Sequence, residues 1–438
     1  MRFSLGERDQ DDAETPVQIL SVILLWGEIP FLVLLLLGEA LALGQYMLGR
    51  VSFSLLDAAR LGGLYFYGFN HVAIHADVVR AGARQSFFSL SVAFLTVTAI
   101  AIGLLFIGGT RVGKRVTGSP LVKTAAGAGV ALPYAVLSLM ISYAVPVSFH
   151  LPAHLEGGEL AVGVSHLQAF LWPLAIGAVA GPAGGLWSAR DERAPTRIAS
   201  ALGGGVRMLL YGMGASLVAL LVVGAIDPGS VRTYFHDTVG NGKAGTDLLV
   251  HHALVLPNQS MWVLVPAMGA CDRVEGAAGK QGPQGFLCYS RFPRHGQFLS
   301  TLGSELGSSR NIPSPIVPIT FTRAPVPYLL FLLVPLIAVV AGGVAAGRAA
   351  GSRGEAAVEG AFAGVAFALL VAGVSLLAGI DVHLAGGGNL TVGPDPVGGS
   401  LLALGWGVVG GATGAAIAFG RSNKRRPRSE RDRGLASS

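Results

Sequence analysis

Eight long stretches of the chain run almost without an ionisable side chain: Val17–Gly44, Phe87–Gly108, Lys123–Val145, His166–Ser188, Val206–Ile226, Val326–Gly347, Ala356–Ile380 and Gly398–Gly420. A hydrocarbon core about 30 Å thick takes roughly 20 apolar residues as a helix. Lipid offers no partner to a backbone amide, so a segment inside it must close its own hydrogen bonds, as a helix or within a closed barrel. These runs are continuous rather than alternating, which selects helices. With 52% hydrophobic and only 13% charged residues, the 438-residue chain does not read as two or three soluble domains. The expectation is an all-α, polytopic transmembrane helix bundle of about eight spans with a loop-rich extracytoplasmic region.

The opening residues 1–16 carry no basic segment followed by a short apolar core and a small-residue cleavage site, so the first span is expected to stay in the protein. Orientation follows from Lys and Arg in short loops. Arg111, Lys114, Arg115 and Lys123 fall between spans two and three, Arg190, Arg193, Arg197 and Arg207 between four and five, and Arg348 and Arg353 between six and seven. The loops Pro146–Ser165 and Asp381–Val397 contain neither Lys nor Arg. Both termini are therefore expected in the cytoplasm of a multi-pass cell-membrane protein. Arg50, Arg60, Arg80 and Arg84 break the pattern, because they would lie outside. An amphipathic helix in the interface over residues 51–80 accommodates them. A ninth span is the alternative, but Asp57, Arg60, Asn70 and His71 would be costly facing lipid.

Residues 17–226 thus hold spans one to five, residues 326–420 hold spans six to eight, and 421–438 form a basic cytoplasmic tail. The polar region 227–325 is placed outside, with a re-entrant or surface helical piece over residues 249–270 broken near Pro257. Its remainder is rich in Gly, Pro and Ser and reads as loop. Cys271 and Cys288, the chain's only cysteines, lie there. On the oxidising side of a membrane they are candidates for a disulfide, whose loop closure is worth roughly 3 kcal/mol.

Glycine followed closely by a cation ends several apolar runs, as at Gly109 and Arg111, Gly347 and Arg348, and Gly420 and Arg421. A cation beside the negative end of a helix dipole suits such a terminus, and its recurrence hints at an internal duplication of helical hairpins. Small residues at four-residue spacing, such as Gly177 with Gly181, Gly343 with Gly347, and Gly360 with Gly364, favour close helix packing. Pro133, Pro173, Pro182 and Pro335 are expected to bend their spans.

Apart from Glu359 at the start of the seventh span, the carboxylates within the spans are Glu28 and Glu39, both in the first. Eleven residues bring a helix round to within about 20 degrees, so both project from one face roughly 16 Å apart. Either a hydrogen bond to another helix or an ion or proton role would account for them. The ten histidines fall outside or at outer helix ends. His71 with His75, and His150 with His154, have the spacing that lets one helix face offer two imidazoles to a metal. Interfacial histidines bonding water and loop carbonyls are the simpler reading.

Nucleophile-elbow, phosphate-loop, HExxH and CxxC patterns are missing, so neither an enzyme nor a cofactor is expected. The tail KRRPRSERDR, beside a membrane helix, is read as contacting anionic lipid headgroups rather than nucleic acid. Gly- and Ala-rich helices joined by short basic loops are combined here with Leu256, Pro257, Asn258 and Trp262, with Gly269 beyond, and with 26 Arg against five Lys. In these respects the chain resembles polytopic membrane proteins of actinobacterial type, the streptophobe family and the permease-like proteins associated with cell division. That resemblance implies a non-catalytic role in envelope maintenance or division, exercised through membrane protein partners. A small-molecule or ion transporter is the first alternative, and a membrane enzyme holding a metal on its outer histidines the second.

Overall fold

The computed structural model describes residues 15–47, 54–80, 83–150, 158–189, 197–226, 245–275, 284–286, 288–290, 292–293, 321–323, 326–384 and 388–425. Eight helical stretches are long and apolar enough to cross a membrane: Pro16–Met47, Leu95–Arg115, Pro120–Ser142, His166–Ser188, Ser200–Val223, Tyr328–Ala346, Arg353–Ala378 and Pro396–Gly420. The chain divides into two compact units, Met1–Pro195 and Thr196–Ser438, with four of these stretches in each. This division cuts across the expected one of two span clusters around an outer loop region.

The first unit runs α1 (Pro16–Met47), α2 (Leu55–Phe69), β1 (Ile74–Arg80), β2 (Ala83–Val92), α3 (Leu95–Arg115), α4 (Pro120–Ala128), α5 (Ala131–Ser142), β3 (Val147–His150), β4 (Glu159–Val164) and α6 (His166–Ser188). Its strands form an antiparallel sheet in the order β3-β4-β1-β2. Every strand joins a helix end to the next helix start, so the sheet caps one end of the unit and the short α3–α4 link lies at the other.

The second unit repeats that order. It runs α7 (Arg197–Ile226), α8 (Gly245–Ala267), β5 (Asp272–Glu275), β6 (Gln284–Phe286), then the two-stranded ribbon β7 (Phe292–Pro293) and β8 (Phe321–Thr322). It continues with α9 (Leu333–Ala346), entered through a 3-10 segment Val326–Leu332, then α10 (Arg353–Ala378), β9 (Ile380–Leu384), β10 (Gly388–Pro394) and α11 (Pro396–Arg425). The strand order within this unit is β9-β10-β5-β6, the same topology as before.

Close packing at small residues repeats with it. A Cβ on Gly109 of α3 would overlap the Gly181 carbonyl of α6, and one on Gly343 of α9 would overlap that of Gly411 in α11. Gly184 meets Phe106 as Gly414 meets Val340, and Gly177 meets Ala131 as Gly407 meets Gly364. Backbones this close exclude any side chain, so dispersion and Cα–H···O contacts hold the helices where lipid removes the hydrophobic drive. The hint of duplicated hairpins thus becomes two copies of a four-span unit.

Several expectations need correction. The fold is not all-α, because both short loops without Lys or Arg, Pro146–Ser165 and Asp381–Val397, contain antiparallel hairpins. Span two does not begin at Phe87: the alternation of Ser with Phe88, Leu90 and Val92 belongs to β2, and the helix starts at Leu95. Residues 51–80 do not form one interfacial helix, since α2 stops at Phe69 and Ile74–Arg80 is a strand. The segment over 249–270 is not broken at Pro257, which sits inside the continuous helix α8 together with Pro266. The third span does break, between α4 and α5, where Pro133 cannot donate a helical bond to Gly129.

The arginines that broke the charge pattern are partly neutralised. Arg60 pairs with Asp57 at 3.6 Å and Arg84 with Asp77 at 2.9 Å.

Candidate functional site

The polar side chains of the first unit gather where α2 ends. Ser54 caps the start of α2, accepting from the Asp57 amide at 3.1 Å. Fifteen residues later the helix closes at Phe69, and His71 turns the chain with φ 60°, a left-handed value usually left to glycine. In the second unit the same turn after α8 is made by Gly269 with φ 105°. In each case the next strand begins three residues on, at Ile74 or Asp272.

Around that turn lies a buried hydrogen-bond network. The Asn70 side chain donates to the Phe66 carbonyl at 2.8 Å and accepts from the Tyr134 hydroxyl at 2.6 Å. Tyr67 donates to the Ser138 carbonyl, and the Ser138 hydroxyl donates to the Ala169 carbonyl at 2.7 Å. Asn70, Tyr67, Tyr134 and Ser138 are fully buried. The network ties α2, α5 and α6 together at the strand end, where each member satisfies another. At its margin Ser142 Oγ lies 2.7 Å from His166 Nδ1, and the Tyr143 ring stacks on His166 at 4.1 Å.

The flagged residues separate. His71 is buried with its ring edge-on to Trp172 at 4.7 Å, whereas His75 sits on β1, so the two do not share a helix face. That removes the geometric premise for a shared metal. Burial holds the His75 imidazole below its ordinary range, Asp77 pulling it up while Arg84 and His166 push it down. His150 ends β3 opposite Glu159, and His154 lies outside the described residues. Among the described residues no group of three metal-ligating side chains converges.

Glu39 is half-buried against Gly62 of α2, where a Cβ would come 2.6 Å from its Oε2. Glu28 is exposed. Cys271 and Cys288 are joined as a disulfide with Cα atoms 4.6 Å apart, stapling the base of the β5–β6 hairpin. Beside it Asp272 is fully buried, neither carboxyl oxygen having a hydrogen-bond partner among the described residues. Burial raises its carboxyl well above the usual range. Arg273 reaches Asp395 at 2.7 Å, which ties β5 to the start of α11.

The sequence marked Asn70 only as costly facing lipid, and Tyr67, Tyr134 and Ser138 did not stand out beside the ionisable groups because they are neutral. The available signal was hydroxyls and an amide embedded in apolar runs, as in YFYGFN. In the second unit the packing register sets Phe367 opposite Tyr134 and Val371 opposite Ser138, both buried and apolar. The network therefore belongs to one copy and is not demanded by the shared fold.

Fold and site together define two similar units, each with four helices long and apolar enough to cross a membrane, one unit carrying a buried polar network and the other a stapled hairpin. No protein family, curated protein or solved structure matches the chain.

Proposed function

We propose that the protein is a non-catalytic, multi-pass component of the bacterial cell envelope that supports envelope maintenance or division by binding membrane protein partners. Its termini and basic links lie in the cytoplasm, its strands outside, and its tail against anionic headgroups. The observation that carries this reading is the repeated glycine seam. In each unit the spans meet backbone to backbone, at Gly109 with Gly181 and at Gly343 with Gly411, which locks neighbouring helices instead of parting them around a passage. A strain lacking the protein should be complemented fully by Glu39→Gln and by His75→Ala at normal abundance. Loss of complementation with either variant would overturn the reading, the first towards ion-coupled transport and the second towards chemistry at the histidines.

A transporter is the second reading, and one observation favours it. The short helix α2 and the helix α8, which contains Pro257 and Pro266, hold corresponding places in the two units and end in matching left-handed turns. Short or proline-containing segments at corresponding positions of two repeats are a pointer to binding sites in transporters built from repeats. Solute flux into liposomes containing the purified protein, abolished by Glu39→Gln, would favour it.

A further inference from the structure

Glu28 has no role inside its own unit. The inward stripe of α1 consists of Gly27, Pro30, Phe31, Leu34, Gly38 and Ala42. Glu28 points elsewhere, exposed among Leu24, Leu25, Leu32 and Leu36, which are 45%, 53%, 50% and 66% exposed. It has no polar partner among the described residues. Its depth follows from helix length. The 32 residues of α1 extend about 48 Å, and Glu28 lies about 18 Å from Pro16. A hydrocarbon slab of about 30 Å placed anywhere along such a helix reaches Glu28.

The second unit shows that the fold does not require this carboxylate. Trp26 packs on Gly108 as Met208 packs on Gly342, so the counterpart of Glu28 is Leu210, an ordinary outward leucine that is 60% exposed. A carboxylate facing lipid is costly, and such residues mark function when they occur.

We infer that the Glu28 face of α1 receives a transmembrane helix of a partner protein that carries an arginine or lysine at matching depth. The inference rests on the partner-binding reading above and names the chemistry of the partner. A cation opposite Glu28 cancels the charge that lipid cannot solvate, and the leucines on either side supply an apolar groove for the rest of the helix. A second copy meeting the first face to face through α1 would instead oppose one carboxylate to another.

The test places a photo-crosslinking residue at Leu24, Leu32 or Leu36 of the full chain in native membranes, with Val218 of the second unit as control. We expect one protein to be captured from the first three positions and not from Val218, the crosslink mapping to a membrane span that contains Arg or Lys. Glu28→Lys should lower the yield about ten-fold and Glu28→Gln several-fold, and changing the partner's cation to Glu should restore the yield with Glu28→Lys. An intact Cys271–Cys288 bond and unchanged thermal unfolding of Glu28→Gln in detergent establish that the variant folds. Crosslinks to lipid alone, to a second copy, or with a yield indifferent to Glu28→Lys would overturn the inference. If a probe at Phe87 in β2 still captures a protein in that case, the partner-binding reading stands without it. If Phe87 also meets no protein, both fall.

Discussion

Adding one methyl group to a seam glycine separates two consequences that a glycine-rich helix usually mixes. At Gly103, Gly373 and Gly405 a Cβ would meet nothing within 4 Å, so Ala there acts only through helix propensity, a gain of up to about 0.8–1.0 kcal/mol. At Gly109 and Gly343 the same atom would overlap a carbonyl oxygen of the facing helix. Backbone cannot rotate away as a side chain can, so the helices must part by roughly an ångström. Such overpacking costs about 1–3 kcal/mol, and parting also weakens Cα–H···O contacts worth about 0.5–1 kcal/mol each. Open and closed sites should therefore differ by about 2–4 kcal/mol in opposite directions. Thermal or denaturant unfolding of purified protein in detergent, disulfide intact, measures it. Because the two seams are built alike, Gly109→Ala and Gly343→Ala should lose similar stability. If either proves as stable as Gly103→Ala or Gly373→Ala, the backbone seam is not what holds that unit together.

Asp272 supplies a pH test. The unfolded chain releases this proton near pH 4 while the folded chain keeps it, so its contribution favours folding at low pH. That contribution should be lost as pH rises towards the raised folded value, by about 1.4 kcal/mol per pH unit. Ile74 holds the equivalent place in the first unit, so Asp272→Leu should fit and flatten the stability difference between pH 5 and 8; an unchanged slope would refute the assignment. His71→Gly should relieve about 1 kcal/mol of left-handed strain but forfeit the Trp172 contact, whereas His71→Ala loses the contact and keeps the strain, making it the less stable of the two in unfolding experiments. Removing the disulfide with Cys271→Ser should cost roughly 3 kcal/mol, read as earlier thermal unfolding of the second unit and faster proteolysis near Cys288. Reporter fusions after Thr117, Arg193 and Ser352 should report the cytoplasm, and any one of them reporting the outside would overturn the proposed orientation.

The helices were legible because a bilayer-length apolar run has few other ways to satisfy its backbone, and all eight sequence-derived spans overlap an observed one. The strands were not. Ile74–Arg80 follows an amphipathic helix with no glycine or proline between them, and the residue that turns the chain after that helix is His71 in a glycine's conformation. With Gly269 the same turn is marked plainly, yet Pro257 drew the break to the wrong place. The hairpin β9–β10 was hidden for another reason: its residues lie in a loop rich in glycine, and β10 is also held by a strand far away in sequence, as at Thr391 with Glu275 of β5. The polar network was invisible in the same way, since Asn70 and Tyr134 meet only once α2 and α5 are packed.

The differences between the units show what the shared fold leaves free. In the first, the hairpin after the short helix has strands of seven and ten residues, long enough for its ladder to hold the register unaided. In the second, the corresponding strands have four and three residues, and the long connection between them would raise the entropy cost of closing the hairpin. The Cys271–Cys288 bond sits where that closure is needed, and Arg273 with Asp395 clamps the adjoining strand to α11. The polar network does comparable work in the first unit, tying α2 to α5 and α6 at the positions where the second unit relies on Phe367 and Val371. Each copy thus secures its strand end by a different chemistry while keeping the same glycine seams below it. Glu28 stands apart from both solutions, because it touches neither the seam nor the network and its counterpart Leu210 shows that the unit is complete without it.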